Sequence, residues 1–259
     1  MKTYLPIHLF FCLFLSISSI QAGEQARLSS KHIIEHELLL NGLITQLYLL
    51  RLNLQDQQAR ASLDEISIRL DSSFTRLNQM LHDARNKRLF SSMTSQWKTI
   101  YLHINALYHN KNKLLPDDIK FIIRYSLQLD KELQRVRKNL LARKVHNEEF
   151  RFITAALLIH RLTHAYLQLP FTDNTLLTNT TQQQLHAMST RFTKRLSNLK
   201  QELKNHRHAN MPLGKAVMAW NFITESIKSF PNKYVPKTIV VYSEKITQKL
   251  LSIQHMFSA

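Results

Sequence analysis

From Ser30 onward the chain repeats apolar residues at alternating steps of three and four, the spacing that lays one stripe along an α-helix. Pro116, Pro170, Pro212, Pro231 and Pro236, together with polar stretches where the stripe fades, divide the chain into eight segments. The first, about residues 30–53, has Ser29 or Ser30 as N-cap and a face of Ile33, Leu40, Leu43, Ile44, Leu47 and Leu50. It is the most apolar of the early segments and is expected at the centre of the fold. The second, about 58–86, carries Leu63, Ile66, Leu70, Phe74, Leu77, Leu81 and Ala84. The third, about 89–109, carries Met93, Trp97, Ile100, Ile104 and Leu107.

The fourth segment opens at Pro116, a residue suited to the first helical position, with Asp117 and Asp118 at the positive end of the helix dipole. No Pro or Gly follows until Pro170. Either one helix of ~53 residues spans ~80 Å, or two helices meet near His146, where the apolar stripe fades; the break is the favoured alternative. The fifth segment, about 148–169, precedes a polar turn at Thr172 to Thr175. The sixth, to about His206, presents Leu185, Met188, Phe192, Leu196, Leu199 and Leu203. Met211 to Gly214 is expected to start the seventh, with Val217, Trp220, Ile223 and Ile227, and Pro236 the eighth, with Ile239, Ile246, Leu250 and Ile253.

Self-similarity at a fixed period is a fold-level signal, and the eight segments fall into two sets of four. Thr45, Tyr48 and Leu49 align with Thr163, Tyr166 and Leu167. Leu63, Ser67, Arg69, Leu77, Gln79 and Leu81 align with Leu185, Ser189, Arg191, Leu199, Gln201 and Leu203. Trp97 aligns with Trp220 and Pro116 with Pro236, at offsets of about 117 to 123 residues throughout. Two tryptophans in register weigh more than shared leucines, which any two amphipathic helices have. The expected fold is all-α, with two tandem antiparallel four-helix bundles over residues 31–146 and 147–259, short connections setting successive helices side by side.

Composition agrees with long helices, because only 3 Gly and 6 Pro punctuate 259 residues. Met1-Lys2, the apolar run Leu9 to Ile17 and the ending Ile20-Gln21-Ala22 follow the order of a secretory signal peptide. Residues 1–22 are expected to be removed after Ala22, and residues 23–30 to form a linker. The run is shorter than the ~20 residues that cross a bilayer, so the mature chain is expected to lack a transmembrane helix and to be periplasmic or secreted. Cys12 is the only cysteine and lies in that leader, which leaves the mature chain without disulfides or a thiol nucleophile.

A net charge of +17 favours anionic partners such as acidic glycans, lipid headgroups or nucleic acid. Export makes an envelope surface the better fit and a specific nucleic acid a poor one. The cations that would carry such contacts are Lys131, Arg135, Arg137, Lys138, Arg143, Lys144, Lys194, Lys200, Lys204 and Arg207. They lack the interleaved aromatics of a single-strand binder.

Candidate chemistry is sparse. His32-x-x-Glu35-His36 matches a short zinc-peptidase pattern, without the sheet and distal ligand that such enzymes need. His160 and His164 lie four apart on one helical face, but Arg161 between them repels a cation and no third ligand is near. His206-Arg207-His208 is expected as a basic loop tip. No phosphate loop, nucleophile elbow or carboxylate pair is present. The expectation is a non-enzymatic protein without metal or cofactor.

The stretch Leu157, Leu158, His160, Arg161, Leu162, His164, Ala165, Tyr166 and Leu167 resembles the first-helix pattern Arg-Met-Leu-Ser-Gln-Arg-Ile-Ala-Lys-x-Tyr-Leu of the N-terminal sensor domain of type IV pilus methyl-accepting chemotaxis transducers. That module is related to the periplasmic bundles of nitrate/nitrite sensor kinases. Thr45, Tyr48 and Leu49 follow the pattern in the first set. The family arginine falls on Ala156 and its serine on Ile159, which does not support an anion site like that of the nitrate sensors; its lysine falls on His164. The resemblance implies an extracytoplasmic bundle that binds a small ligand or a protein partner, with His160, Arg161 and His164 as the ligand contacts. The alternative is a basic protein that binds polyanions or an envelope surface through the cations named above.

Overall fold

The structure, a computed structural model, describes residues 31–80, 84–109, 116–141, 150–171, 175–230 and 234–258. All regular structure among them is helical: α1 (residues 31–52), α2 (Gln57–Met80), α3 (Ala84–His109), α4 (Pro116–Leu141), α5 (Arg151–Gln168), α6 (Thr175–Glu202), α7 (Arg207–Lys228) and α8 (Pro236–Ser258). A 3-10 turn, Leu169–Phe171, follows α5 where Pro170 cannot continue the helix. The expected leader and linker, Leu81, Arg143, Lys144 and His146, and the side chains of Leu77 and Ala84, lie outside the described residues.

The apolar stripes become two large clusters and a small third, in which Ile34 of α1 meets Phe150, Ile153 and Leu157 at the start of α5. Leu40, Leu43, Ile44 and Leu47 of α1 meet Leu63, Leu70 and Phe74 of α2, Trp97 and Ile104 of α3, and Ile119, Leu129 and Leu133 of α4. Phe152, Ile159 and Leu162 of α5 meet Phe192 and Leu199 of α6, Trp220 and Ile223 of α7, and Ile239, Ile246 and Ile253 of α8. Successive helices lie side by side from α2 to α4 and from α5 to α8, and α8 returns to pack along α5. Leu167 and Val240 of the second half contribute to the first cluster, so the halves touch without a solvent gap at that point.

Several boundaries differ from the periodicity. The second stripe ran to about residue 86, yet Ala84 already starts α3, because an apolar period continues across a turn whenever both flanking helices bury the same core. The chain between Pro116 and Pro170 is two helices, since Phe150 takes φ −102°, ψ 12° immediately before α5. The seventh helix begins at Arg207 rather than near Met211; Pro212 lies inside it, in its second turn, where the missing N–H forfeits one ladder bond. His206 is therefore the residue preceding α7, and the basic tip expected there is partly its first turn.

The two tryptophans are buried in equivalent ways. Trp97 Nε1 donates to Asp71 Oδ1 on α2 at 3.1 Å, and Trp220 Nε1 donates to Thr193 Oγ1 on α6 at 3.0 Å. Each indole thereby fixes the depth at which one helix sits against the preceding one, since a buried N–H without an acceptor costs about 1–3 kcal/mol.

The α1–α2 turn is tied to the other half. Asp56 caps α2 by accepting the Ala59 N–H at 3.0 Å, and its second oxygen lies 2.7 Å from Lys237 Nζ at the start of α8. The Lys237 hydrogen bond, followed by the Ala59 N–H, lowers its pKa. Asp56→Ala should reduce unfolding stability by ~1–2 kcal/mol through the lost cap, whereas Lys237→Met, which removes an exposed lysine, should cost less than ~1 kcal/mol; urea titrations of the two variants check the ranking.

Candidate functional site

Along α1, the most apolar helix of the first half, Glu37, Asn41 and Thr45 recur every fourth residue. That spacing draws a polar line down one face, and each of the three is buried. Their partners arrive from α4 and α5. Glu37 Oε2 accepts from Arg137 Nε at 2.6 Å, and Oε1 faces Arg161 at 3.3 Å. Asn41 Nδ2 donates to Asp130 Oδ1 at 2.8 Å, and Gln134 Nε2 donates to the other Asp130 oxygen at 2.6 Å. Arg161 also lies 3.7 Å from Asp130. Two carboxylates and two guanidiniums thus sit together without a fixed net charge, which is how charges persist in a low-dielectric interior.

His164 continues this joint. Its Nε2 is 2.8 Å from the Asn41 carbonyl and 3.0 Å from Thr45 Oγ1. A carbonyl only accepts, so Nε2 carries the proton. Burial, together with the Arg161 charge, pushes the imidazole down to about 4 against the Asn41 bond that favours the charged form. His160, on the same side of α5, turns to a different helix, where Nε2 is 3.3 Å from Thr247 Oγ1 of α8. Burial and then the neighbouring His164 and Arg161 lower it to about 3. Glu37 moves the other way. Burial raises it to about 7 although both arginines oppose the shift, and Asp130 adds to the rise.

On the far side of this seam a cleft of about 450 Å³ opens between α1, α2, α5 and α8. Leu38, Leu39, Phe150, Ile153 and Leu251 supply apolar wall; His160, Thr247 and Gln254 supply polar groups; Lys31, Glu35, Arg69 and His255 lie around it. A shallower depression of about 290 Å³ adjoins it, lined by His32, His36, Ser72, Ser73 and Arg76. His36 Nδ1 donates to the His32 carbonyl at 2.7 Å, while its buried Nε2 has no hydrogen-bond partner.

The residues singled out from the sequence divide. Of His160, Arg161 and His164, His160 lines the cleft, whereas Arg161 and His164 belong to the joint between α1 and α5. The His32 and His36 imidazoles do not converge, because His32 pairs with Glu35 at 3.2 Å while His36 packs edge-on against Phe74 at 4.8 Å. Among the described residues, no group of three His, Cys, Asp or Glu is placed to hold a metal. Lys131, Arg135, Lys138, Lys194, Lys200, Lys204 and Arg207 are exposed. Arg137 is not a surface cation: it is buried and committed to Glu37. The alternation of Arg135, Arg137 and Lys138 looked like a solvated basic face because sequence does not show that α4 turns residue 137 toward an acid 100 positions away.

Glu37, Asn41 and Asp130 were not singled out. The detectable signal was the four-residue recurrence of polar side chains inside an apolar helix, which a fully buried helix tolerates only with partners. No family model, curated protein or solved structure matches the chain.

The shifts fix a pH response. Unfolded imidazoles at 6.5 bind protons that buried His36, His160 and His164, lowered to between about 3 and 4, do not. Their stabilisation is complete above pH 6.5 and is lost as pH falls toward 4. Glu37, raised from 4.5 to about 7, stabilises below 4.5 and loses that contribution as pH rises to 7. Between about pH 5 and 6 the three imidazoles take up protons on unfolding and Glu37 partly opposes them, so stability should rise with pH by on the order of 3 kcal/mol per unit. Glu37→Gln should steepen the rise by ~1 kcal/mol per pH unit, because the opposing group is removed; denaturant unfolding of both proteins across this range reads it.

Proposed function

We propose that this chain is an exported, non-enzymatic binding module built from two similar four-helix bundles in tandem, and that it takes a small ligand in the cleft between them. The observation that carries this reading is the cleft itself. Its ~450 Å³ falls in the range of small-molecule sites. Its apolar wall with His160, Thr247 and Gln254 converging on it suits a ligand with an apolar body and one polar end.

The tandem relation draws support from the indoles. Ser67 and Ser189, both buried, stand at the offset that also pairs Asp71 with Thr193, and those two residues accept from Trp97 and Trp220. A shared hydrogen-bond register is harder to reach by chance than a shared apolar stripe. The resemblance of Leu157 to Leu167 to the sensor domain of pilus chemotaxis transducers fits a module that hands its bound state to a protein partner. The leader-like order of residues 1–22 supports export of that module to the periplasm or outside the cell.

A second reading, a binder of polyanions or an envelope surface, is favoured by the exposure of seven of its ten named cations, Lys131, Arg135, Lys138, Lys194, Lys200, Lys204 and Arg207.

Native mass spectrometry of the exported protein should find a small molecule retained by the parent. Leu251→Trp, which fills the cleft from its half-buried wall, should lower retention at least ~10-fold while the helical circular dichroism is kept; equal retention by the variant would refute the cleft as the site. His160→Leu, which keeps the bulk and removes the polar contact, should weaken retention by a smaller factor, about 3- to 10-fold.

A further inference from the structure

The outward face of α7 is apolar where a solvated helix is polar. Met211, Met218 and Phe222 lie in line along it at 66%, 73% and 56% exposure, and Val241 of α8 extends the strip at 45%. Phe222 stacks on Tyr242 of α8 with centroids 4.4 Å apart, and Lys245 Nζ stands 4.7 Å from the Tyr242 ring. On the other flank a groove of about 420 Å³ runs between α6 and α7, lined by Lys200, Lys204, Asn210, Leu213, Gly214, Val217 and Met218. The strip is a ridge with lysines on both sides.

The charge around it is one-sided. The described parts of α6 and α7 contain two acids, Glu202 and Glu225. Each already has a cation, Arg151 at 2.8 Å and Lys228 at 3.3 Å. Glu244, the acid of α8 nearest the strip in sequence, reaches back to Gln46 at 3.5 Å. Lys200, Lys204, Arg207, Lys215 and Lys245 are left facing outward beside the ridge with no described acid paired to them.

We propose that the α7–α8 face docks the protein on a bilayer surface rich in anionic lipid. Apolar side chains flanked on both sides by unpaired cations match a bilayer, which meets them with acyl chains at the depth of Met218 and Phe222 and phosphates at the depth of the flanking lysines. Docking is peripheral, because no described helix is long and apolar enough to cross a membrane. The proposal rests on the second of the two readings above and names its surface. It leaves the cleft untouched, since no residue of the ridge lines it.

A polarity-sensitive fluorophore on Met218→Cys in the exported protein, with Cys12→Ser making that thiol unique, tests the face directly. Emission should shift to the blue on phosphatidylcholine vesicles containing phosphatidylglycerol and stay unchanged on phosphatidylcholine alone. The same label on Lys98→Cys, exposed on α3, should not respond. Lys200→Gln with Lys204→Gln should weaken vesicle binding about 30-fold, from roughly fivefold per cation at an anionic surface, and Phe222→Asp should weaken it at least ~10-fold. If the protein sediments with anionic vesicles while the Met218 label stays silent, the face is wrong and the polyanion reading stands. If it fails to sediment at low salt, both fall. A dimer abolished by Phe222→Asp, with no vesicle response, would overturn the proposal in favour of self-association.

Discussion

The buried carboxylate of Glu37 sets the constraint that the other helices satisfy. Once ionised, above about pH 7, this charge without solvent must be met by opposite charge at contact distance, and Glu37 meets it with Arg137 from α4 and Arg161 from α5. One side chain thereby fixes α1 against its own half and against the other. Asp130 and Asn41 extend the cluster, and His164 carries it one turn further along α1. Removing one member of such a cluster leaves the rest unpaired, which is why ion pairs of this kind cost about 3–5 kcal/mol to break although their net worth is small. The joint therefore specifies where α5 lies along α1 more than it adds to stability.

That placement shapes the cleft. Residues of α1 and α5 alternate between the joint and the cavity: Glu37 and Arg161 face the ionic cluster, while their neighbours Leu38 and His160 line the opening. A shift of α5 by one turn, about 5.4 Å, would carry Arg161 out of reach of Glu37 and close the wall made by Ile153 and His160. The same geometry joins the cleft to a titratable joint, since Glu37 and the imidazoles of His160 and His164 all sit within or beside the two seam helices. A ligand in the cleft, as proposed, would act on the same pair of helices as the joint.

Much of the fold was legible in the sequence. Ile33, Leu40, Leu43, Ile44, Leu47 and Leu50 are all buried, as the stripe in the first segment required, and Ile239, Ile246, Leu250 and Ile253 are likewise buried in the last. Pro116 and Pro236 begin α4 and α8 because proline tolerates the first helical position. The apolar period says which face is inside but not which buried polar residues find one another. Arg137 and Lys138 are adjacent basic residues in the sequence, yet one lies inside the joint and the other in solvent. The cleft was equally invisible, since Leu39 and Leu251 come from two helices and Phe150 from the N-cap of a third, and each resembles an ordinary core position. On α7, by contrast, Met211, Met218 and Phe222 fell on the side opposite Trp220, a pattern present in the sequence but masked by the strength of the inward stripe.

The claim that the joint makes two halves one cooperative unit is tested most directly by following each half through its own tryptophan. With Trp220→Phe, fluorescence reports Trp97 in the first cluster; with Trp97→Phe, it reports Trp220 in the second. Guanidinium unfolding at pH 7 should give coincident midpoints for the two reporters, and Arg161→Met added to each should move them apart. Separate midpoints with Arg161 intact would contradict the account.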